Sequence, residues 1–231
     1  MNILALDTSM GACSAAVLLA DGATQRIVLC EETMSRGHAE ALMPMVAEVM
    51  TEAGLDFAAL DLIAATLGPG SFTGVRIAIA AARGFALATD AHLWGTDSLT
   101  VMARAAFESG KAGDGKPLAV AVDARGERLY FGLYDAAGRK LAGPLLIQAG
   151  EAAALLPGEL AAAVGNGAVH LAEAAMLRGH CVEAKLADLQ PNAAALAELA
   201  LEADETLPSL RPLYLRPPGA RPQAAAAVAR R

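Results

Sequence analysis

Cysteine, histidine and aromatic side chains are scarce in this chain, and each scarcity removes a class of function. The three cysteines, Cys13, Cys30 and Cys181, lie far apart and make no C-x-x-C, so neither a disulfide framework nor a thiolate zinc site is expected. The four histidines, His38, His92, His170 and His180, form no H-x-x-x-H and no H-E-x-x-H, so no metal ligands are expected among them. His38 is expected at a helix start and His92 just before a strand. A G-x-S-x-G nucleophile elbow and the GK[ST] ending of a P-loop are also missing. Without converging ligands or a nucleophile–base pair, no catalytic residues are assigned. No run of about 18 uninterrupted apolar residues occurs, so no membrane span is expected. The start, MNILALDTSM, has no basic segment ahead of an apolar one and no small-residue cleavage site. A cytoplasmic protein without a signal peptide is therefore expected.

Apolar material is abundant. Hydrophobic residues make up 55% of the 231, enough for one large domain or two modest lobes. Aromatics are only 4%, so alanine supplies much of that fraction and close helix packing is expected. The net charge of −7 argues against an independent nucleic-acid binder. No acid follows Glu205, whereas Arg211, Arg216, Arg221, Arg230 and Arg231 do; a total of −7 with +5 at the end leaves −12 before it. Residues 217–231 are read as a disordered basic tail, either a solubilising end or a contact for RNA or an acidic partner.

Asn2 to Leu29 reads as three strands, with Asp21-Gly22 turning the second hairpin. HAEALMPMVAEVMTEAG follows, with Leu42, Val46, Val49, Met50 and Ala53 on one helical face and Gly54 as C-cap. Pro44 lies within that pattern, so the helix either starts late or is kinked there. LIAAT reads as a buried strand, GPGSFTG as a loop, and VRIAIAAARGFALAT as a helix apolar nearly all round.

The pattern then recurs. ALDTSMGACSAAVLLADG at 5–22 aligns without gaps on AVDARGERLYFGLYDAAG at 121–138, a strand ending in Asp7 or Asp123, a turn, and a second strand. Gly165-Asn166-Gly167 follows AAAV much as Gly68-Pro69-Gly70 follows LIAAT. The expected fold is α/β, two duplicated actin-like (ribonuclease H-like) lobes, each a mixed sheet flanked by helices. The lobes are expected over 1–109 and, reduced in size, over 110–216, joined near SGKAGDGK.

In such folds an acid-tipped hairpin and a glycine loop hold nucleotide phosphates. The corresponding residues here are Asp7, Thr8, Ser9, Gly68, Gly70, Ser71, Gly74, Arg76 and Asp123. Two readings stand side by side. Free backbone N–H groups at a helix mouth attract anions; alternatively, Gly70 and Gly74 serve tight packing, and Thr8, Ser9 and Asp123 hold turns. The spacing G-x-G-x-x-x-G is not a dinucleotide fingerprint. Acting alone through Asp7, Gly70 and Asp123, the chain would be an ATP-dependent kinase-like or hydrolase enzyme.

ILALDTSMGACSAAV, RGHAEALMPMV, LGPGSFTGVRIAIAAARGFALA, GTDSLTVMA and AVDARGERLYFGLYD, in this order, resemble the bacterial TsaB family. The likeness runs to about Asp135 and resumes through GNGA and LYLRPP. It implies the dimerization subunit of the complex that makes threonylcarbamoyladenosine beside the tRNA anticodon, in the glycoprotease-like branch of the actin-like superfamily. The implied partners are a TsaD-type catalytic subunit, a TsaE-type ATPase, and a second copy when alone, with tRNA met only indirectly. No cofactor is implied beyond weak ATP or ADP between partners. TsaD binds a metal through two histidines four apart; Asp97 and Val101 stand at those positions here, and valine cannot ligate. The resemblance further implies a partner interface on the helices over 39–53 and 75–89, with Met43, Val46, Met50, Ile77, Ala78, Ala81 and Phe85 as candidates. A metallopeptidase, the remaining alternative, would need a bound metal.

Overall fold

Three strands open the chain because two short turns interrupt one apolar run. β1 (Asn2–Asp7) pairs antiparallel with β2 (Ala12–Asp21), placing Asp7 opposite Ser14, and β2 pairs antiparallel with β3 (Thr24–Thr33). β4 (Leu62–Thr66) and β5 (His92–Thr96) add parallel to β1, giving the order β3-β2-β1-β4-β5. β6 (Leu118–Asp123), β7 (Arg128–Tyr134) and β8 (Lys140–Gln148) repeat the antiparallel meander, and β9 (Ala162–Val164) and β10 (Ala184–Lys185) the parallel extension. The second order, β10-β9-β6-β7-β8, is the first one over again. The duplication visible in the sequence is therefore a duplication of topology, and the short β9 and β10 make the second sheet the smaller. This computed structural model describes residues 1–112, 115–160 and 162–216; the basic tail at 217–231 lies outside them.

α1 (His38–Ala53) and α2 (Phe72–Thr89) cover one face of the first sheet. α1 begins at His38 and so does not start late; it simply carries Pro44 inside, depriving the Glu40 carbonyl of its usual donor. α2 begins three residues earlier than the apolar pattern implies, because the Ser71 hydroxyl caps it by accepting from the Gly74 N–H at 3.2 Å. By length and composition α2 would suffice to cross a bilayer. It instead lies on the sheet, with Gly74, Val75, Ala78, Ile79 and Ala82 buried.

Two of the remaining helices exchange partners. α3 (Ser98–Glu108), from the first half of the chain, lies on the second sheet, burying Leu99, Met102, Ala103 and Ala106 against Leu118, Val120 and Val122. α6 (Ala193–Leu201), from the second half, lies on the first sheet, with Leu196, Ala197 and Ala200 against Ile3, Ala5 and Leu18. The 110–216 span thus contains a helix that packs on the other lobe. α4 (Ala149–Ala154) and α5 (Ala168–Met176) cover the outer face of the second sheet. All three cysteines are unpaired, and burial pushes the Cys13 thiol up to about 12.

Candidate functional site

The ends of β1 and β4 bring the acid-tipped hairpin against the glycine loop. Asp7, 1% exposed, accepts from the Ser9 N–H at 3.2 Å, the Ser9 hydroxyl at 2.8 Å and the Thr66 hydroxyl. Burial pushes its carboxyl up to about 6; the Thr66 and Ser9 hydrogen bonds oppose the shift and Glu31 adds to it. The Thr8 hydroxyl donates to the Gly74 carbonyl at 2.6 Å and accepts from the Ala78 N–H at 3.2 Å. The Ser71 N–H donates to the Ser9 carbonyl at 2.8 Å. A Cβ at Gly70 would stand 2.1 Å from that carbonyl, and one at Gly74 2.0 Å from the Thr8 carbonyl.

Hairpin and loop therefore sit flush, and the groups that would hold a phosphate hold each other. Of the nine phosphate candidates, Ser9, Gly70, Ser71 and Asp123 line a cleft of about 770 Å³ between the lobes; Asp7, Thr8, Gly68, Gly74 and Arg76 do not. Gly70 and Gly74 serve close packing, because backbone lies where their side chains would be. Arg76 does not itself line the cleft; its guanidinium lies 3.8 Å above the ring of Phe72, which does. Asp123 holds a turn: its carboxylate accepts from the Arg125 N–H at 2.8 Å, and its own N–H donates to Asn166 Oδ1 at 2.8 Å.

Asp97 and Val101 have separate structural tasks. Asp97 caps α3, accepting from the Thr100 N–H at 3.0 Å and the Thr100 hydroxyl at 2.7 Å, and pairs with Lys140 of β8. Val101 is fully buried. Among the described residues no three His, Cys, Asp or Glu side chains converge as a metal site would require. His38 starts α1, with Nε2 3.1 Å from the Met10 carbonyl oxygen.

Three of the seven interface candidates are corrected by burial. Val46, Met50 and Ala78 belong to the chain's own core, because α1 and α2 turn those positions onto the sheet. Ile77, Ala81 and Phe85 are partly buried against the same core, and Phe85 stacks on Phe57 at 5.4 Å. Met43 is half exposed, and the outer surface of α2 adds Leu87, 87% exposed, and Phe72. Sequence reasoning passed over Leu87, whose place outside the helix's buried 75–78–79–82 face was its only signal. It also missed Gln190 and Leu213 to Arg216, which line the cleft from segments without periodicity.

Over residues 27–216 the sequence matches the family model described as TsaD, tRNA N6-adenosine threonylcarbamoyltransferase. It is 38% identical over 131 residues to the tRNA threonylcarbamoyladenosine biosynthesis protein TsaB of Haemophilus influenzae, an alignment of 57% of this chain and 52% of that protein. The chain thus spans about half the length of the curated TsaB relatives that it matches. It is 33% identical over 225 residues to an uncharacterized protein of Mycobacterium tuberculosis, covering 96% of this chain and 95% of that one. The crystal structure of an uncharacterized Pseudomonas aeruginosa protein with similarity to peptidase YeaZ superposes with a TM-score of 0.78 at 32% identity, over 93% of this chain and 99% of that one.

Proposed function

Since the chain belongs to the TsaB family, within the fold family of the threonylcarbamoyltransferases, we propose that it is a non-catalytic subunit that binds and activates a TsaD-type enzyme for threonylcarbamoyladenosine modification of tRNA. The carrying observation is a division of surfaces. The hairpin and glycine loop satisfy their polar groups on each other, while the outer side of α1 and α2 leaves Met43, Phe72 and Leu87 exposed. Apolar side chains left outside a well-packed core suit a protein partner, and methionine repacks readily against more than one. On this reading the transfer chemistry, with any metal or nucleotide, resides in the partner, and a second copy covers the face when the partner is absent. A TsaE-type ATPase completes the assembly, in the cytoplasm where the tRNA is.

The test is association with the cognate TsaD-type enzyme, followed by light scattering. A 1:1 complex at micromolar concentration is expected; none at that concentration overturns the reading. Leu87→Glu is expected to weaken association at least tenfold with no change in melting temperature, since its side chain supports no core. Sustained ATP hydrolysis by the isolated chain would instead favour a stand-alone enzyme.

A further inference from the structure

Residues 207–216, LPSLRPLYLR, contain two prolines and no regular element, yet the fold grips them at successive points. The Leu207 N–H donates to the Leu93 carbonyl at 2.7 Å, bridging the outer edge of β5. Leu210 is fully buried among the residues under α2, and Arg83 donates to its carbonyl. The Leu213 N–H donates to the Leu67 carbonyl at 2.6 Å. Its own carbonyl lies 3.0 Å from where a Cβ at Gly68 would stand, and Gly68 has a φ of 98°, so glycine suits both the backbone there and the close approach of the segment.

Beyond Leu213 the grip becomes side-chain recognition. The Tyr214 ring stacks on Phe72 with centroids 5.3 Å apart, and its hydroxyl accepts from Arg76 Nε at 2.6 Å. Arg216 reaches the other lobe, donating from Nη2 to the Ala124 carbonyl at 2.8 Å and the Arg125 carbonyl at 3.3 Å. That turn is held open by three consecutive left-handed residues, Arg125, Gly126 and Glu127, an arrangement that costs energy at the two non-glycine positions. Every receptor group lies outside the segment: a backbone acceptor, an aromatic ring carrying a cation, and two carbonyls in a strained turn. Main-chain pairing combined with spaced side-chain seats is how folded domains take extended peptides.

We propose that this rim is a peptide-binding site specific for an extended Leu-Tyr-x-Arg segment, which the chain fills in cis with its own residues 213–216. Leu210 is the permanent anchor. The stretch after it is the exchangeable part, because Tyr214 is 41% exposed and Arg216, itself exposed, is held by two backbone carbonyls alone. Residues 213–216 also form one wall of the cleft between the lobes, so their departure opens that cleft. A segment of the same chemistry on another protein would compete for the rim and control the aperture. None of this rests on the identity of the catalytic partner.

The test uses the full chain carrying Tyr214→Ala and Arg216→Ala, which leaves the Leu210 anchor intact. The probe is the labelled synthetic peptide RPLYLR, followed by fluorescence anisotropy, with hydrogen exchange of 207–216 measured in parallel. The double variant is expected to keep its far-ultraviolet circular dichroism and to exchange the Leu213 N–H at least ten times faster than the unaltered chain. It is expected to bind RPLYLR at least tenfold more tightly than the unaltered chain, whose tethered segment competes at an effective concentration on the order of millimolar. RPLALA is expected to bind at least tenfold more weakly than RPLYLR. Unchanged Leu213 exchange, equal binding of the two peptides, or no binding of RPLYLR to the double variant each overturns the proposal.

Discussion

Gly74→Ala is expected to be among the most damaging single-methyl additions in the first lobe. The new Cβ would fall 2.0 Å from the Thr8 carbonyl oxygen, well inside any contact distance, and the obstruction is main chain, with no flexible side-chain end to yield. Relief requires the hairpin to lift from α2, which breaks the Thr8 bonds to the Gly74 carbonyl and the Ala78 N–H and the Ser71–Ser9 backbone bond. Overpacking in a rigid site costs about 1–3 kcal/mol, and each buried group left without a partner adds about 1–3. A loss of about 4 kcal/mol follows, or roughly 10 °C in melting temperature for a chain of this size. The same substitution on the same helix at Gly84 should do the reverse. No atom lies within 4 Å of a Cβ there and the position is exposed, so Gly84→Ala gains about 0.8–1 kcal/mol of helix propensity. Parallel denaturant melts of the two variants decide the matter; similar stability would mean the glycine loop is not the packing corner described here.

This contrast locates what was legible in the sequence. Short apolar runs closed by Asp-Gly or Asp at 7, 21 and 123 marked the strands, and the gapless repeat foreshadowed two sheets of one order. Local pattern could also name the glycine loop, but not choose between phosphate and packing, since both readings use the same residues and differ only in what lies 2 Å away. The interface candidates failed for a related reason. α2 is apolar nearly all round, so Ala78 and Leu87 look alike in sequence although one is buried and the other 87% exposed. α6, AAALAELAL, has the same uniformity, and nothing in it announces that it packs on the first sheet instead of the second. Nor does a lone lysine in the second half reveal that Lys140 faces Asp97. Pairings between distant segments are fixed by the assembled surfaces, and a sequence window carries no record of them.

Asp7 separates a requirement for folding from a cost that the fold tolerates. With its carboxyl pushed up from 3.8 to about 6 by burial, the native chain holds this proton more tightly than the unfolded chain does. Between about pH 4 and pH 6 the native state therefore binds more protons, so stability falls as pH rises across that window. Above it the full cost remains, about 3 kcal/mol for a shift of about two units. Asp7→Asn keeps the shape, still accepts from the Ser9 N–H, and offers an amide donor to the Thr66 or Ser9 hydroxyl once that hydroxyl turns. The variant is expected to match the unaltered chain near pH 4 and to exceed it by about 1–3 kcal/mol at pH 7.5, with a flatter profile between. Urea unfolding at pH 4.5, 6 and 7.5 reads this directly. A variant whose deficit grows as pH rises through 6 would show that the charged acceptor holds the hairpin together. If the expected profile appears, an acid that lowers stability at neutral pH is not there for the fold's sake, and modification activity of the assembled complex with Asp7→Asn then decides whether it retains a task. On the reading of a subunit whose hairpin only packs against its own loop, that activity stays unchanged.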